Sequence, residues 1–145
     1  MTMLSELNLT DARKEFSSLY DQVFNLFKPT IIKRKKSEEI MLLRVDQQKM
    51  LLAYYSLKPV IITENDGSIT LALDNLEIYS NGSSLEEAIK DLIDDLKIYA
   101  LDYLEHSQLF LNAPNRKSHF PYVLRVLLSD SDDEIRDLLE LSNAS

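Results

Sequence analysis

The side chains best suited to chemistry in this sequence are four consecutive cations, Lys33-Arg34-Lys35-Lys36. The phosphates of a nucleic acid would relieve the mutual repulsion of these charges. Other reactive groups are scarce, because the 145-residue chain has no Cys and only two His, His106 and His119, neither with a ligand-type residue at suitable spacing. Without Cys there is no thiolate nucleophile, thiolate metal site or disulfide. The sequence therefore favours a binding protein, and we expect no catalytic residues and no cofactor.

Acidic residues are candidates for metal binding, above all the cluster Asp130-Ser131-Asp132-Asp133-Glu134. An EF-hand loop needs Gly at its sixth position and Glu at its twelfth. Counted from Asp130, those positions hold Ile135 and Leu141. The cluster instead fits a helix start, with Ser131 and Glu134 in capping-box spacing. Turn and surface roles are also favoured for Asp66 and Asp74, so we predict no metal site.

Charge is distributed unevenly along the chain, whose formal net charge is −8. Residues 1–58 carry a net charge of +3, and residues 59–145 carry −11. This asymmetry predicts two surfaces for different partners, one suited to a polyanion and one to a basic protein. The alternative is that acidic helices simply keep the second half solvated. No run approaches the roughly 18 apolar residues of a membrane span, and no secretion signal is evident, so we expect a cytoplasmic protein.

The elements that position the cations follow from the pattern of the first segment. Leu7 and Leu9 indicate a brief strand, and Thr10 followed by Asp11 indicates a helix start. An amphipathic helix of about 16 residues is predicted from the apolar spacing, and Pro29 ends it. The β-prone runs 30–32 and 40–43 flank the cations, which predicts a hairpin with a basic tip. The helix stripe comprises Ala12, Phe16, Leu19, Val23 and Phe27, and Asp46 is placed to cap a further short helix.

This order of elements over residues 4–55 resembles the N-terminal domain of Phd/YefM-type antitoxins. The resemblance is carried by residues 9–19, by Pro29-Thr30-Ile31-Ile32-Lys33-Arg34, and by the stretch that continues to Val45-Asp46. It implies a domain that dimerises and binds operator DNA to repress its own operon. In that family an early helix Arg and an Arg ending the first hairpin strand serve DNA binding, which here are Arg13 and Arg34. The predicted DNA-binding residues are Thr10, Arg13, Lys33, Arg34, Lys35 and Lys36.

The second segment predicts three strands followed by a long helix. Strands are indicated at 60–63, 68–73 and 76–79, and Ser83 or Ser84 is placed to cap the helix. Residues 60–104 are similar to the small domain of HicB antitoxins, through Asp66-Gly67-Ser68-Ile69 and Gly82-Ser83-Ser84-Leu85-Glu86-Glu87-Ala88. That resemblance implies a degenerate RNase H-like fold that contacts a toxin and lacks catalytic residues.

Together these features predict an α+β protein: a Phd/YefM-like domain at 1–58, with a short sheet and helices, and an acidic HicB-like domain at 59–145 with C-terminal helices. The expected function is the antitoxin of a type II toxin-antitoxin system, with operator DNA, a basic, RNA-cleaving toxin and a second copy of the chain as partners. Predicted toxin contacts are Ile135, Leu138, Leu139 and Leu141, for which packing onto their own domain is the alternative. Competing functions are a protein-interaction adaptor and, more remotely, an RNase H-like nuclease.

Overall fold

The computed structural model describes residues 2–141 and divides into two compact units between Leu51 and Leu52. The predicted junction was Lys58-Pro59, and the observed division comes earlier. Leu57 explains the difference, because its side chain is fully buried in the core of the second unit. The described residues form two three-stranded sheets, seven α-helices and one short 3-10 helix, which confirms the α+β class.

The first unit is built on a sheet with the strand order β1-β2-β3. Strand β1 pairs in parallel with β2, and β2 pairs antiparallel with β3. A small core of Ala12, Leu19, Val23 and Ile32 joins the helices to this sheet. The elements are β1 (Ser5–Asn8), α1 (Leu9–Lys14), α2 (Phe16–Asn25), β2 (Thr30–Arg34), β3 (Glu38–Leu42) and α3 (Val45–Leu52).

The first helix differs from its prediction in two ways. It begins after Asn8, whose side-chain oxygen accepts a hydrogen bond from the backbone N–H of Asp11 at 2.8 Å, so Thr10 is not the cap. Asn8 fulfils this role because it ends β1 in an extended conformation. The predicted continuous helix is also interrupted at Glu15, where φ is −114° and ψ is 29°. The interruption divides the predicted stripe: Ala12 and Leu19 are buried, whereas Phe16 and Phe27 are exposed.

The second unit is an antiparallel meander with the order β4-β5-β6, packed against a long helix. Its core includes Leu71 and Leu73 from the sheet and Leu92 and Leu96 from that helix. The elements are β4 (Val60–Thr63), β5 (Ile69–Leu73), β6 (Ile78–Gly82), α4 (Leu85–Glu105), α5 (Ser107–Asn112), a 3-10 helix (Lys117–His119), α6 (Phe120–Leu127) and α7 (Asp132–Leu138).

Side-chain caps fix the starts of α4 and α7. Ser84, not Ser83, caps α4, since its hydroxyl accepts from the Glu87 N–H at 3.2 Å. Gly82 must stay small there, because a Cβ at this position would lie 2.5 Å from the backbone nitrogen of Ala88. Ser131 caps α7, as predicted, since its hydroxyl accepts from the Glu134 N–H. The Glu134 carboxylate accepts from the Asp130 N–H, one residue before the N–H that a standard capping box would use.

Candidate nucleic-acid interface

The sheet of the first unit brings the start of α1 and the hairpin tip to the same end. Because β1 runs parallel to β2 with Asn8 beside Lys33, the chain enters α1 next to the end of β2. Leu9, the first residue of α1, lines one surface groove with Arg34 and with residues 37–40 of the hairpin. The exposed side chains of Thr10 and Arg13 on α1 therefore belong to the same end of the unit as the cationic tip.

Two of the four tip cations are paired with carboxylates. Lys33 lies 3.3 Å from Glu6 and 3.9 Å from Glu39, and the Arg34 Nε donates to Glu38 at 2.6 Å. The antiparallel register sets Lys33 opposite Glu39 and Arg34 opposite Glu38, whereas Glu6 lies on the parallel neighbour β1. The hydrogen bond from Lys33 holds the pKa of Glu6 below its usual value. The sequence interpretation of four equivalent cations missed this.

Lys35 and Lys36 form the turn itself and are the tip cations most open to a ligand. Both are exposed, and within residues 2–141 neither lies in an ion pair. Lys35 has a φ of 60°, in the left-handed region that disfavours residues with a Cβ. The turn thus holds two cations at its apex, with Arg13 and Lys14 exposed on α1 at the same end of the unit.

Behind this end, α2 and the start of α3 border an apolar groove of about 620 Å³. Phe16, Tyr20, Phe24 and Val45 line it with exposed side chains. Arg44, which was not among the predicted site residues, forms part of one wall of this groove. Its guanidinium lies 4.3 Å from the Phe24 ring centre and 4.1 Å from that of Phe27, and it donates to both carboxylate oxygens of Asp46. The sequence carries no local signal for this contact, because Phe24 and Phe27 lie 20 and 17 residues before Arg44.

The two His are both in the second unit. His119 is buried, and its Nδ1 lies 2.6 Å from the hydroxyl of Tyr99. His106 is exposed at the end of α4, where its Nδ1 lies 3.0 Å from a carboxylate oxygen of Asp102. In residues 2–141 no group of three or more His, Asp or Glu is arranged to hold a metal ion.

Comparisons with known proteins identify the family. Residues 3–141 match the PHD-like family, described as antitoxin of toxin-antitoxin, RelE / RelB, TA system. The chain belongs to this antitoxin family. It is also similar to the crystal structure of an antitoxin from Syntrophomonas wolfei subsp. wolfei, with a TM-score of 0.83 and 35% identity over 93% of this chain and 96% of that one. A search of curated proteins finds no match.

An antitoxin has a toxin as its partner, which gives importance to the predicted toxin contacts. The structure places Ile135, Leu139 and Leu141 in the core of the second unit, and Leu138 packs partly buried against that core. These positions favour the alternative that α7 packs onto its own domain. In the described part of the antitoxin, no helix combines the length and apolar character needed to cross a bilayer.

Proposed function

We propose that this antitoxin belongs to a type II system, binds operator DNA as a dimer to repress its own operon, and neutralises an RNA-cleaving toxin by direct contact. The observation that carries the DNA part is the set of exposed cations on two neighbouring elements of the first unit: Arg13 and Lys14 on α1, which begins beside the end of β2, with Arg34, Lys35 and Lys36 on the hairpin. Exposed cations on two neighbouring elements suit the spaced phosphates of a duplex.

The apolar surface of the first unit supports a homodimer. Strand β3 is an edge of its sheet, and Ile40 and Met41 on it are exposed. The groove lined by Phe16, Tyr20 and Phe24 adds further exposed aromatic surface. Contiguous apolar surface and an open sheet edge are typical of a protein interface. A second copy of the first unit would cover both and double the number of cations presented to DNA.

The proposal predicts that Arg13→Ala combined with Arg34→Ala weakens DNA binding. With five cations from each copy, a dimer would engage about six to ten phosphates, and wild-type affinity would fall about 10³–10⁵-fold between 50 and 200 mM salt. Each lost phosphate contact should reduce the slope of log affinity against log salt by about one. Fluorescence anisotropy with duplex DNA from the chain's own promoter region measures both quantities.

Lys28→Ala is the matched control, because Lys28 is an exposed cation of the same unit outside the candidate surface. Thermal melts of all variants should agree closely, since the Arg34–Glu38 ion pair is exposed and such pairs contribute little. If the double variant binds DNA with wild-type affinity and salt slope, the assignment is wrong. Absence of salt-dependent DNA retention in the wild type would favour the adaptor function.

For toxin binding, we propose the exposed side of α4 in the acidic second unit. Ile98, Leu101 and Leu104 are exposed there, and Asp94 and Glu105 flank them. A nuclease that acts on RNA presents cations to its substrate, so an acidic surface suits its binding face. Charge complementarity would raise the association rate, while buried apolar side chains would supply most of the affinity. Of the contacts predicted on α7, Leu138 is the one that remains partly accessible.

Leu101→Lys tests this location. The substitution places a cation in the centre of the proposed contact and should reduce toxin affinity by at least about tenfold, while the fold tolerates it because Leu101 is 61% exposed. The measurements are rescue of cells that express the toxin encoded beside this chain, and calorimetric titration of the purified pair. Tyr54→Lys, at a residue that is 88% exposed, is the control. Equal rescue by Leu101→Lys and wild type would exclude this surface.

A further inference from the structure

Strand β4 is an apolar sheet edge that the rest of the second unit leaves uncovered. Helix α4 packs against β5 and β6, and β4 pairs with β5 along one side only. Val60, Ile61 and Ile62 are therefore 55%, 44% and 40% exposed, although they are β-branched residues typical of buried strands. An edge of this kind pairs readily with another strand unless charge or proline blocks it.

The register identifies which backbone groups of β4 are free to pair. The N–H of Glu64 donates to the carbonyl of Ser68 at 2.9 Å, so the backbone of residue 64 faces β5. Successive residues of a strand alternate in this respect. Ile62 and Val60 thus direct their N–H and C=O groups towards β5, whereas Ile61 and Thr63 direct theirs away from the sheet. Pro59, the next residue of that outward set, is buried and has no N–H, so the edge open to pairing begins at Val60.

We propose that β4 pairs antiparallel with β4 of a second copy of this chain, with Ile61 opposite Ile61 at the two-fold axis. In an antiparallel pair, directly opposed residues lie on the same face of the sheet. The two-fold axis of a symmetric pair therefore passes between two copies of the same β4 residue. Centring on Ile61 joins the outward N–H and C=O groups of the two Ile61 residues, and the ladder stops short of Pro59, which is buried. Centring on Ile62 would instead place Glu64 opposite the apolar Val60.

Charge complementarity supports a second copy as the occupant. In the register centred on Ile61, Lys58 of each chain lies opposite Glu64 of the other, so two opposite-charge pairs close the ends of the interface. Within residues 2–141 the ion pairs of the structure leave both side chains unused, and both are exposed. Between these pairs Val60 faces Ile62 of the other copy, a match of β-branched side chains. This surface differs from the one proposed for dimerisation of the first unit.

A single Cys at the axis tests the pairing in the full-length chain, which has no Cys of its own. Opposed residues that exchange both backbone hydrogen bonds have Cα atoms about 5.5 Å apart, within the range that a disulfide spans. Ile61→Cys should therefore form a symmetric disulfide on mild oxidation, at least about tenfold faster than Tyr79→Cys. Tyr79 is the matched control, because it is similarly exposed at 57% but lies on β6, away from the β4 edge.

Charge reversal then tests the register. Adding Lys58→Glu or Glu64→Lys to Ile61→Cys places like charges opposite each other and should slow the cross-linking of each variant alone. An equal mixture of the two variants restores opposite charges and should give mixed disulfides in excess over either symmetric one. These substitutions lie outside the first unit and should not affect dimerisation through it. A failure of the proposed first-unit dimer can therefore be distinguished from a failure of the β4 pairing. The inference is overturned if Ile61→Cys oxidises no faster than Tyr79→Cys, or if charge reversal leaves the rates unchanged.

Discussion

The hydrogen bonds around Tyr99 and the burial of His119 together favour a neutral imidazole. Arg116 donates to the Tyr99 hydroxyl oxygen at 3.1 Å, and this hydroxyl lies 2.6 Å from His119 Nδ1. A neutral imidazole can accept the hydroxyl proton at Nδ1. Burial, together with the nearby charge of Arg116, lowers the pKa of His119, while Glu77 opposes this shift. His119 thus serves as a hydrogen-bond acceptor inside the second unit.

This arrangement predicts that the protein loses stability on mild acidification. The pKa of His119 is lower in the folded chain than the unfolded value of about 6.5, so the unfolded chain binds the proton first as the pH falls. The free energy of unfolding should therefore decrease between about pH 7 and pH 5, by at most about 1.4 kcal/mol per unit of pKa shift. Urea unfolding at both pH values measures the decrease, and His119→Gln should reduce it.

His106→Gln is the matched control for that experiment. Hydrogen bonds that His106 donates to the backbone carbonyl and the carboxylate of Asp102 raise the pKa of the exposed His106, so its stabilising effect is present at low pH and is lost as the pH rises through its folded pKa. Removing it should make the acid-induced loss steeper, opposite to the effect of His119→Gln. Identical pH profiles for wild type and His119→Gln would show that His119 does not determine this dependence.

At the scale of elements, α7 is expected to be a structural helix. Ile135 and Leu139 are 4% and 0% exposed in the core of the second unit. Arg136 also ties α7 to α4 through paired hydrogen bonds to Glu86 at 2.9 and 2.6 Å. Truncation after Ser129 should therefore unfold the second unit, as measured by circular dichroism and thermal melting.

A point substitution separates folding from toxin contact on α7. Leu139→Ala should reduce the free energy of unfolding by about 2–5 kcal/mol, because it leaves a cavity in the core. Leu138→Ala, at the neighbouring, partly buried position, should cost less. If the truncated protein stays folded and fails to rescue cells, α7 is the toxin contact after all, and the structural role is wrong.

The hydrophobic periodicity and the turn residues of the sequence predicted most of the helices and strands. The sequence indicated a strand or helix near each of the six strands and near α3, α4 and α7, because alternation, proline and capping residues are local signals. The interruption of the first helix at Glu15 has no such signal. The interruption depends on the packing of both Ala12 and Leu19 against the same sheet, which is a tertiary constraint.

The sequence predicted which cationic residues form the candidate site, but it did not predict their ion pairs. The run 33–36 marks the tip by residue type alone, whereas the ion pairs of Lys33 and Arg34 require the strand register. The same reasoning explains α7, whose apolar spacing fits an exposed anchor and a buried face equally well. Only packing distinguishes the two, and it places Leu139 in the core.

The whole molecule combines a mildly basic segment with a strongly acidic one, and the formal net charge of −8 repels a DNA duplex at long range. The proposed binding of DNA by the cations of the first unit would work against this repulsion, which is effective at low ionic strength and screened beyond about 10 Å at 0.1 M salt. The acidic residues of the second unit therefore have opposite consequences for the two proposed partners. They attract a basic toxin and disfavour the approach of DNA.

Neutralising part of the acidic helix should consequently shift the balance between the partners. Asp91→Asn with Asp94→Asn removes two exposed negative charges on α4. Burial raises the pKa of the neighbouring Asp95, and the charges of Asp91 and Asp94 raise it further. The association rate with DNA should rise, by up to about tenfold at low salt, and the association rate with the toxin should fall. Stopped-flow measurements at low and high salt distinguish long-range charge effects from direct contact, since both rate changes should vanish once salt screens the charges.

Lys90→Gln, on the same helix, is the control that should change both rates in the reverse direction. Effects that persist at high salt would mean that these carboxylates act by direct contact, and the long-range interpretation would be wrong.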